Sequence, residues 1–215
     1  MAIKVHGAVF STVTSRVLAC LHEKGLDYEF VPVDMKADEH KKEPLISINP
    51  FGQVPGFEDG DLKLFGNLAI NQYITHAYSD KGTPLVYHDD PKKMAMVYMG
   101  LEVEAHHYDS PAAKLSWELC AKPFLGMIID ETIVKEHEVQ LCKVLDVYES
   151  RLTEYKYLCG DTFTLADLHH LPTMDYLMGT RAKVMFDAHP HVSAWCKDIM
   201  ARPAWHKVIA MRYNH

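Results

Sequence analysis

Ser11 is the first residue of the chain placed to do chemistry. It stands in Val9-Phe10-Ser11-Thr12-Val13-Thr14-Ser15-Arg16-Val17, where the pattern turns helical. A hydroxyl donor beside the positive end of a helix favours a thiolate over a thiol, and so lowers the pKa of a sulfur bound there. The thiolate is the nucleophile, so this arrangement suits attack on an electrophile. The same serine is an ordinary N-cap, and local sequence alone favours that reading. A second stretch, Asn49 to Asn67, reads NPFGQVPGFEDGDLKLFGN. It suggests a loop, a short strand through Val54, a turn at Glu58-Asp59-Gly60-Asp61, a strand over Leu62 to Phe65, and a helix start. An Asp-Gly pair between apolar runs is a strong hairpin signal. Pro55 lacks a ladder donor, which suits a strand edge whose backbone is free to pair with an extended peptide.

The histidines do not form a metal site by spacing. His106-His107 and His169-His170 are adjacent pairs pointing apart on a helix, and His189 and His191 flank Pro190 without matching carboxylates. No H-E-x-x-H and no Cys/His ligand spacing occurs, so no metal is expected. There is also no GxGxxG and no P-loop.

The elements that must position these residues follow in order. Residues 2 to 6 predict a strand, and Ser11 to Lys24 a helix with Val13, Val17, Leu18 and Leu21 on one face. Gly25 stops that helix and Tyr28 to Val33 returns to strand character. The hairpin comes next, then a helix over Leu68 to Tyr78. A β-α-β portion demands a parallel pair and the hairpin adds antiparallel strands. The expected fold class is therefore α/β plus all-α. A thioredoxin-like mixed sheet over 1–79 precedes a linker over 80–90 and an all-helical domain over 91–215. In that second part Lys92 to His107 reads as a helix ended or interrupted by Pro111. Glu131 to Leu152 is strongly periodic, and Val192 to Met200 is a helix closed by Pro203. Thr164-Leu165-Ala166-Asp167 has the form of a capping box, so Asp167 is structural. Phe124 and Met178 are candidates to line an apolar cleft, where flexible methionines tolerate varied ligands.

Composition limits the partners. A formal net charge of −7 argues against nucleic acid, which needs a basic footprint. Five cysteines without a CxxC argue against a disulfide framework and for a reducing compartment. No leader-like segment and no uninterrupted run of about 18 apolar residues is present, so no membrane insertion is expected. The expected compartment is the cytoplasm.

NPFGQVP followed by EDGDLKLF resembles the glutathione-binding half of the glutathione transferase family, most closely its plant phi class. LDVYESRL, GDTFTLADLHHLP, LMGT and RPAW resemble that class's helical domain, so the resemblance covers nearly the whole chain. It implies a homodimer that adds glutathione, as co-substrate, to hydrophobic electrophiles. Ser11 would then stabilise the glutathione thiolate, with Thr12 beside it and Thr14 as a spare contact. His40 and Lys41 would hold the glycine carboxylate of glutathione, a job suited to charge-assisted bonds. Gln53 and Val54 would make the next contacts, and Pro55 would be a cis proline shaping the turn. Phe51 would insert into the partner subunit, and Phe10 with Phe124 and Met178 would form the acceptor site. The family's usual Glu-Ser is replaced by Gly66-Asn67, and its arginine by Leu68. Asn67 still offers an amide for the γ-glutamyl end, but Gly66 offers no charge, which predicts weakened glutathione binding. Two alternatives stay open. One is a non-enzymatic ligandin-type carrier of flavonoids or other hydrophobic metabolites. The other is a member catalysing a glutathione-independent reaction.

Overall fold

The computed structural model describes residues 2–213, which divide into two units. The first holds the described residues up to Leu85 together with those from Pro203 onward. Its sheet has β1 (Ile3–Gly7), β2 (Tyr28–Pro32), β3 (Gly56–Asp59) and β4 (Leu62–Phe65) in the order β2-β1-β3-β4. β1 runs parallel to β2 and antiparallel to β3, and β3 is antiparallel to β4. The mixed sheet expected from the β-α-β and hairpin pattern is thus formed.

β3 begins at Gly56, so the expected strand through Val54 does not form. Pro55 has no N–H to give the ladder, and the Val54–Pro55 peptide bond is cis. The hairpin loop is Gly60-Asp61, with Asp59 paired to Leu62 and Gly60 at φ 65°. That left-handed backbone is why glycine stands there.

α1 (Thr12–Lys24) fully buries Val17, Leu18 and Leu21, each worth roughly 1.5–3 kcal/mol of burial. Gly25, at φ 63°, closes it as expected. α2 (Leu45–Ile48) covers the start of β3, and α3 (Asn67–Ala77) packs on α1 through its buried Ile70 and Ile74 face. Asp59 ties α3 to the hairpin: Tyr73 and Tyr78 donate to its carboxylate at 2.8 and 2.5 Å.

The second unit spans Val86–Arg202. Its elements are α4 (Pro91–Val103), α5 (Asp109–Ser116), α6 (Lys122–Phe124), α7 (Glu131–Glu154), α8 (Leu165–Met178), α9 (Lys183–Asp187) and α10 (Pro190–Met200). Pro111 does not end the first of these. It sits inside α5, after a π-helical turn over Glu104–Tyr108. A second such turn, Trp117–Ala121, precedes Pro123 in α6. Proline leaves the carbonyl four residues back without its donor, and a widened turn re-registers the backbone around it. α10 ends at Met200, before Pro203, as expected, and Pro203 also opens α11 (Pro203–Tyr213), where proline is favoured at the first position. α11 packs on α1 in the first unit, so the helical part does not run to the end of the chain as expected.

The segment after α6 is held by Glu118. Its carboxylate pairs with Lys122 at 2.7 Å and accepts the Asp130 N–H at 2.8 Å, closing the exposed apolar loop of Leu125, Met127 and Ile128. The Lys122 contact and the Asp130 amide hold the Glu118 pKa below its ordinary value of 4.5. A depressed carboxylate contributes stability above the unfolded pKa and loses it as pH falls. We therefore expect the Asp130 amide to lose hydrogen-exchange protection below pH 4.5, ahead of α7, while remaining protected at neutral pH.

Candidate functional site

The sheet's topology gathers four loops at one end. β1 and β2 are parallel, β3 runs the other way and β4 reverses again. The C-terminal ends of β1, β2 and β4 therefore share an end with the N-terminal start of β3. The segment 8–11 leaves β1 there, and Gln53, Val54 and Pro55 lead into β3. Gly66 and Asn67 leave β4, with Gly56 paired to Phe65 immediately before them. The segment after β2 starts at the same end, where Val33 N–H bonds the Gly7 carbonyl at 2.9 Å.

Ser11 caps α1 with an extended backbone, and its hydroxyl oxygen accepts the Thr14 N–H at 3.3 Å. Both readings of this serine hold together, because capping uses an oxygen lone pair and leaves the hydroxyl proton to be donated. No acidic residue stands in the first turn of α1, so nothing offsets the positive end of its dipole. Thr12 is the first helical residue, and Phe10 beside it is 55% exposed. Thr14 is not available as a contact. Its side chain is fully buried, and a β-carbon added at Gly7 would lie 2.5 Å from its Cγ2.

The loop before β3 is built by Asn49, a residue the sequence reading passed over. Its buried amide donates to the Gln53 carbonyl at 2.7 Å and accepts the Phe51 N–H at 3.1 Å. The signal available was the Asn-Pro pair, a common turn initiator. Gly52, at φ 59°, brings this loop against the His40 segment: a β-carbon there would lie 3.3 Å from the His40 carbonyl and 3.5 Å from Lys41 Cγ. His40 and Lys41, in a 3₁₀ turn over Glu39–Lys41, thus lie beside the residue preceding Gln53. Phe51 is 75% exposed, its ring edge-on to Phe65 at 5.8 Å.

Gly66 caps α3 without a side chain, at φ 78° and ψ 111°. Asn67 is the first helical residue rather than the cap, so the helix starts one residue earlier than expected. The first turn of α3 also contains no acid. In the second unit Phe124 is 78% exposed in α6, and Met178, the last residue of α8, is partly exposed.

No cysteine competes as the nucleophile. All five are free, and burial pushes each thiol up, Cys120 to about 11 and Cys159 to about 12. Three of the histidines have partners of their own. His170 bridges the Tyr148 hydroxyl and the Ala166 carbonyl, His189 meets Asp146 and the Met185 carbonyl, and His191 meets Glu149. Among the described residues no three His, Cys, Asp or Glu side chains converge to hold a metal ion.

Comparison with known proteins follows this geometry. The family model for the glutathione S-transferase N-terminal domain matches residues 1–76, and that for the C-terminal domain residues 112–203. A glutathione S-transferase of Hyoscyamus muticus is 60% identical over 209 residues, covering 97% of this chain and 98% of the relative. The crystal structure of glutathione transferase F7 from Populus trichocarpa has a TM-score of 0.93 at 47% identity, covering 97% of this chain and 98% of that one. Glutathione S-transferase I from mais, solved in complex with an atrazine glutathione conjugate, has a TM-score of 0.90 at 40% identity, covering 98% of this chain and 97% of that one. Matched at such identity along nearly its whole length, the chain belongs to the glutathione S-transferase family, in its plant phi class.

Proposed function

We propose that this protein adds glutathione to hydrophobic electrophiles, with Ser11 as the group that stabilises the thiolate. The observation that carries the reading is the Ser11 hydroxyl: it caps α1 through its oxygen and keeps its proton for a ligand. In the reaction the bound thiol loses its proton to solvent, and the Ser11 hydroxyl donates a hydrogen bond to the resulting sulfur anion while keeping its proton. The sulfur pair then forms a bond to the electrophilic carbon. The leaving group departs with its electron pair, or, in an addition, a proton from water completes the product. Desolvation away from water strengthens the Ser11 contact and the α1 dipole, which act on the sulfur's charge.

The tripeptide lies along the loops at the sheet end. We assign its cysteinyl backbone to Val54, held beside cis Pro55, with Gln53 and Thr12 adjacent. His40 and Lys41 take its glycine carboxylate. The γ-glutamyl end falls to Gly66 and Asn67, where the first amides of α3 favour an anion. Phe10 flanks Ser11 as an exposed apolar side chain, and within the second unit Phe124 and Met178 are the apolar side chains assigned to the acceptor. Phe51 is assigned to the partner subunit of a homodimer, since an aromatic ring 75% exposed is a candidate for burial by association. Cytoplasm is the compartment that fits five free cysteines, and no helix among the described residues is long and apolar enough to cross a membrane. We read the division expected at 80–90 as a functional one, with residues 1–79 for glutathione and the helices from 91 onward, α11 excepted, for the acceptor. Relatives at 60% identity are named transferases, so the carrier and glutathione-independent alternatives are not favoured.

Calorimetric titration of glutathione into the natural protein and into Gly66→Glu/Asn67→Ser tests the reading. Both should bind, the double variant about ten- to a hundredfold tighter from one regained charge-assisted contact. Glu at position 66 would have to take up a left-handed backbone, so the variant should also lose roughly 1–3 kcal/mol of stability. Binding by the variant alone would contradict the proposed function.

A further inference from the structure

The loop after β2 is tightly wired around Asp34. Its Oδ1 accepts the Lys36 and Ala37 N–H groups at 2.8 and 3.1 Å, and the Asp34 N–H donates to Glu39 Oε2 at 2.8 Å. Lys42 Nζ closes the loop on the Ala37 carbonyl at 2.8 Å. Of the acids Asp34, Asp38 and Glu39, two are thus spent on backbone amides. Asp38 is not. It sits at φ 55°, in the left-handed region that aspartate tolerates at a cost, and no other non-glycine among the described residues does so. That backbone turns its carboxylate onto the 3₁₀ turn that follows. Lys41 Nζ lies 2.8 Å from its Oδ1, and His40 Nε2 lies 3.7 Å from the same oxygen.

One cation bonded to that oxygen, with a histidine nitrogen 3.7 Å from it, is the kind of setting a ligand's terminal carboxylate would use. We propose that Asp38 is a specificity-determining residue: its carboxylate occupies the Lys41 donor, beside His40, in the free protein, and the glycine carboxylate of glutathione must displace it. The inference rests on the assignment of His40 and Lys41 made above. It adds a second source of weak glutathione binding, at the opposite end of the tripeptide from Gly66. The hydrogen bond and charge of Lys41 hold the Asp38 pKa below its ordinary value, so it is ionised and competing across the neutral range. The side chain is 58% exposed, so the contest takes place in a well-solvated setting and its effect is modest.

The test is calorimetric titration with two ligands, glutathione and glutathione esterified at its glycine carboxylate. Asp38→Asn keeps shape and tolerance of the left-handed backbone, and Asp38→Gly relieves that backbone, so both variants should fold. Each should bind glutathione roughly two- to fivefold tighter than the natural protein, with no gain for the ester. Lys41→Met should weaken glutathione binding, and in that background Asp38→Asn should change nothing. An unchanged or lower affinity in Asp38→Asn, or an equal gain for the ester, overturns the role of Asp38 while a weakened Lys41→Met preserves the carboxylate site. An unaffected Lys41→Met removes the carboxylate site itself, and this inference with it.

Discussion

Ser11→Asp should fold as well as the natural protein and lose about 99% of its conjugation rate, an effect on the order of 100-fold in kcat/KM. Aspartate is as good an N-cap as serine, and its charge is favourable at the α1 N-terminus, so the Thr14 N–H keeps its partner and the melting temperature holds. The carboxylate has no proton to donate and repels a sulfur anion. The bound thiol pKa should rise, moving the rising limb of the pH–rate profile toward alkaline pH. Ser11→Ala separates the two roles differently. It should lose both rate and roughly 0.5–2 kcal/mol of stability, because the cap goes with the donor. Steady-state kinetics with a hydrophobic electrophile and thermal melts of the two variants check the pair. Full activity in Ser11→Asp would mean that the serine serves only as a cap.

Asp167→Ala should cost about 3–5 kcal/mol, a large share of a total domain stability of about 5–15 kcal/mol, and lower the melting temperature markedly. Asp167 is fully buried, and its two oxygens accept four hydrogen bonds. Leu158 N–H and Trp195 Nε1–H reach Oδ1 at 3.1 and 3.0 Å, while Thr164 N–H and its hydroxyl reach Oδ2 at 2.9 and 3.1 Å. Truncation orphans all four donors at the start of α8, a helix buried on nearly every side. Asp167→Asn should be milder, because its amide oxygen can still serve Leu158 and Trp195. Soluble yield and thermal melts would measure both. A wild-type melt for Asp167→Ala would contradict this account of the cap.

How much of this was legible depends on how local the cause was. The Asp59-Gly60 turn, the Gly25 cap and the Thr164–Asp167 cap act within a few residues, so their sequence signals found them. The periodic face of α7 was read nearly to its ends for the same reason, with Leu141, Leu145, Tyr148 and Leu152 buried as expected and Val144, expected beside them, half-buried. The prolines are read only in part. Pro55 is cis as the resemblance implies, but the strand expected through Val54 starts after it. Pro111 interrupts the helical run through a widened turn rather than ending it. Pro203 follows α10 as expected but also opens α11. A proline's role depends on which side of it the backbone finds hydrogen bonds, and that is settled by the turn before it. At the site, Ser11 was legible as a residue but ambiguous between cap and donor, until its oxygen and proton were seen to have separate uses. Asn49 and Asp38 were missed because their partners are set by loop shape: a carbonyl four residues on, and a cation reached only through a left-handed backbone. Gly66 was legible as a missing charge, but not as a residue whose φ of 78° any replacement must share.

The most direct test of the central claim is a pH titration of the thiolate absorbance of glutathione bound to the natural protein. The account predicts a midpoint well below that of free glutathione, moved back up in Ser11→Asp under the same saturating conditions. A bound thiol that titrates like free glutathione, unchanged by Ser11→Asp, would contradict it.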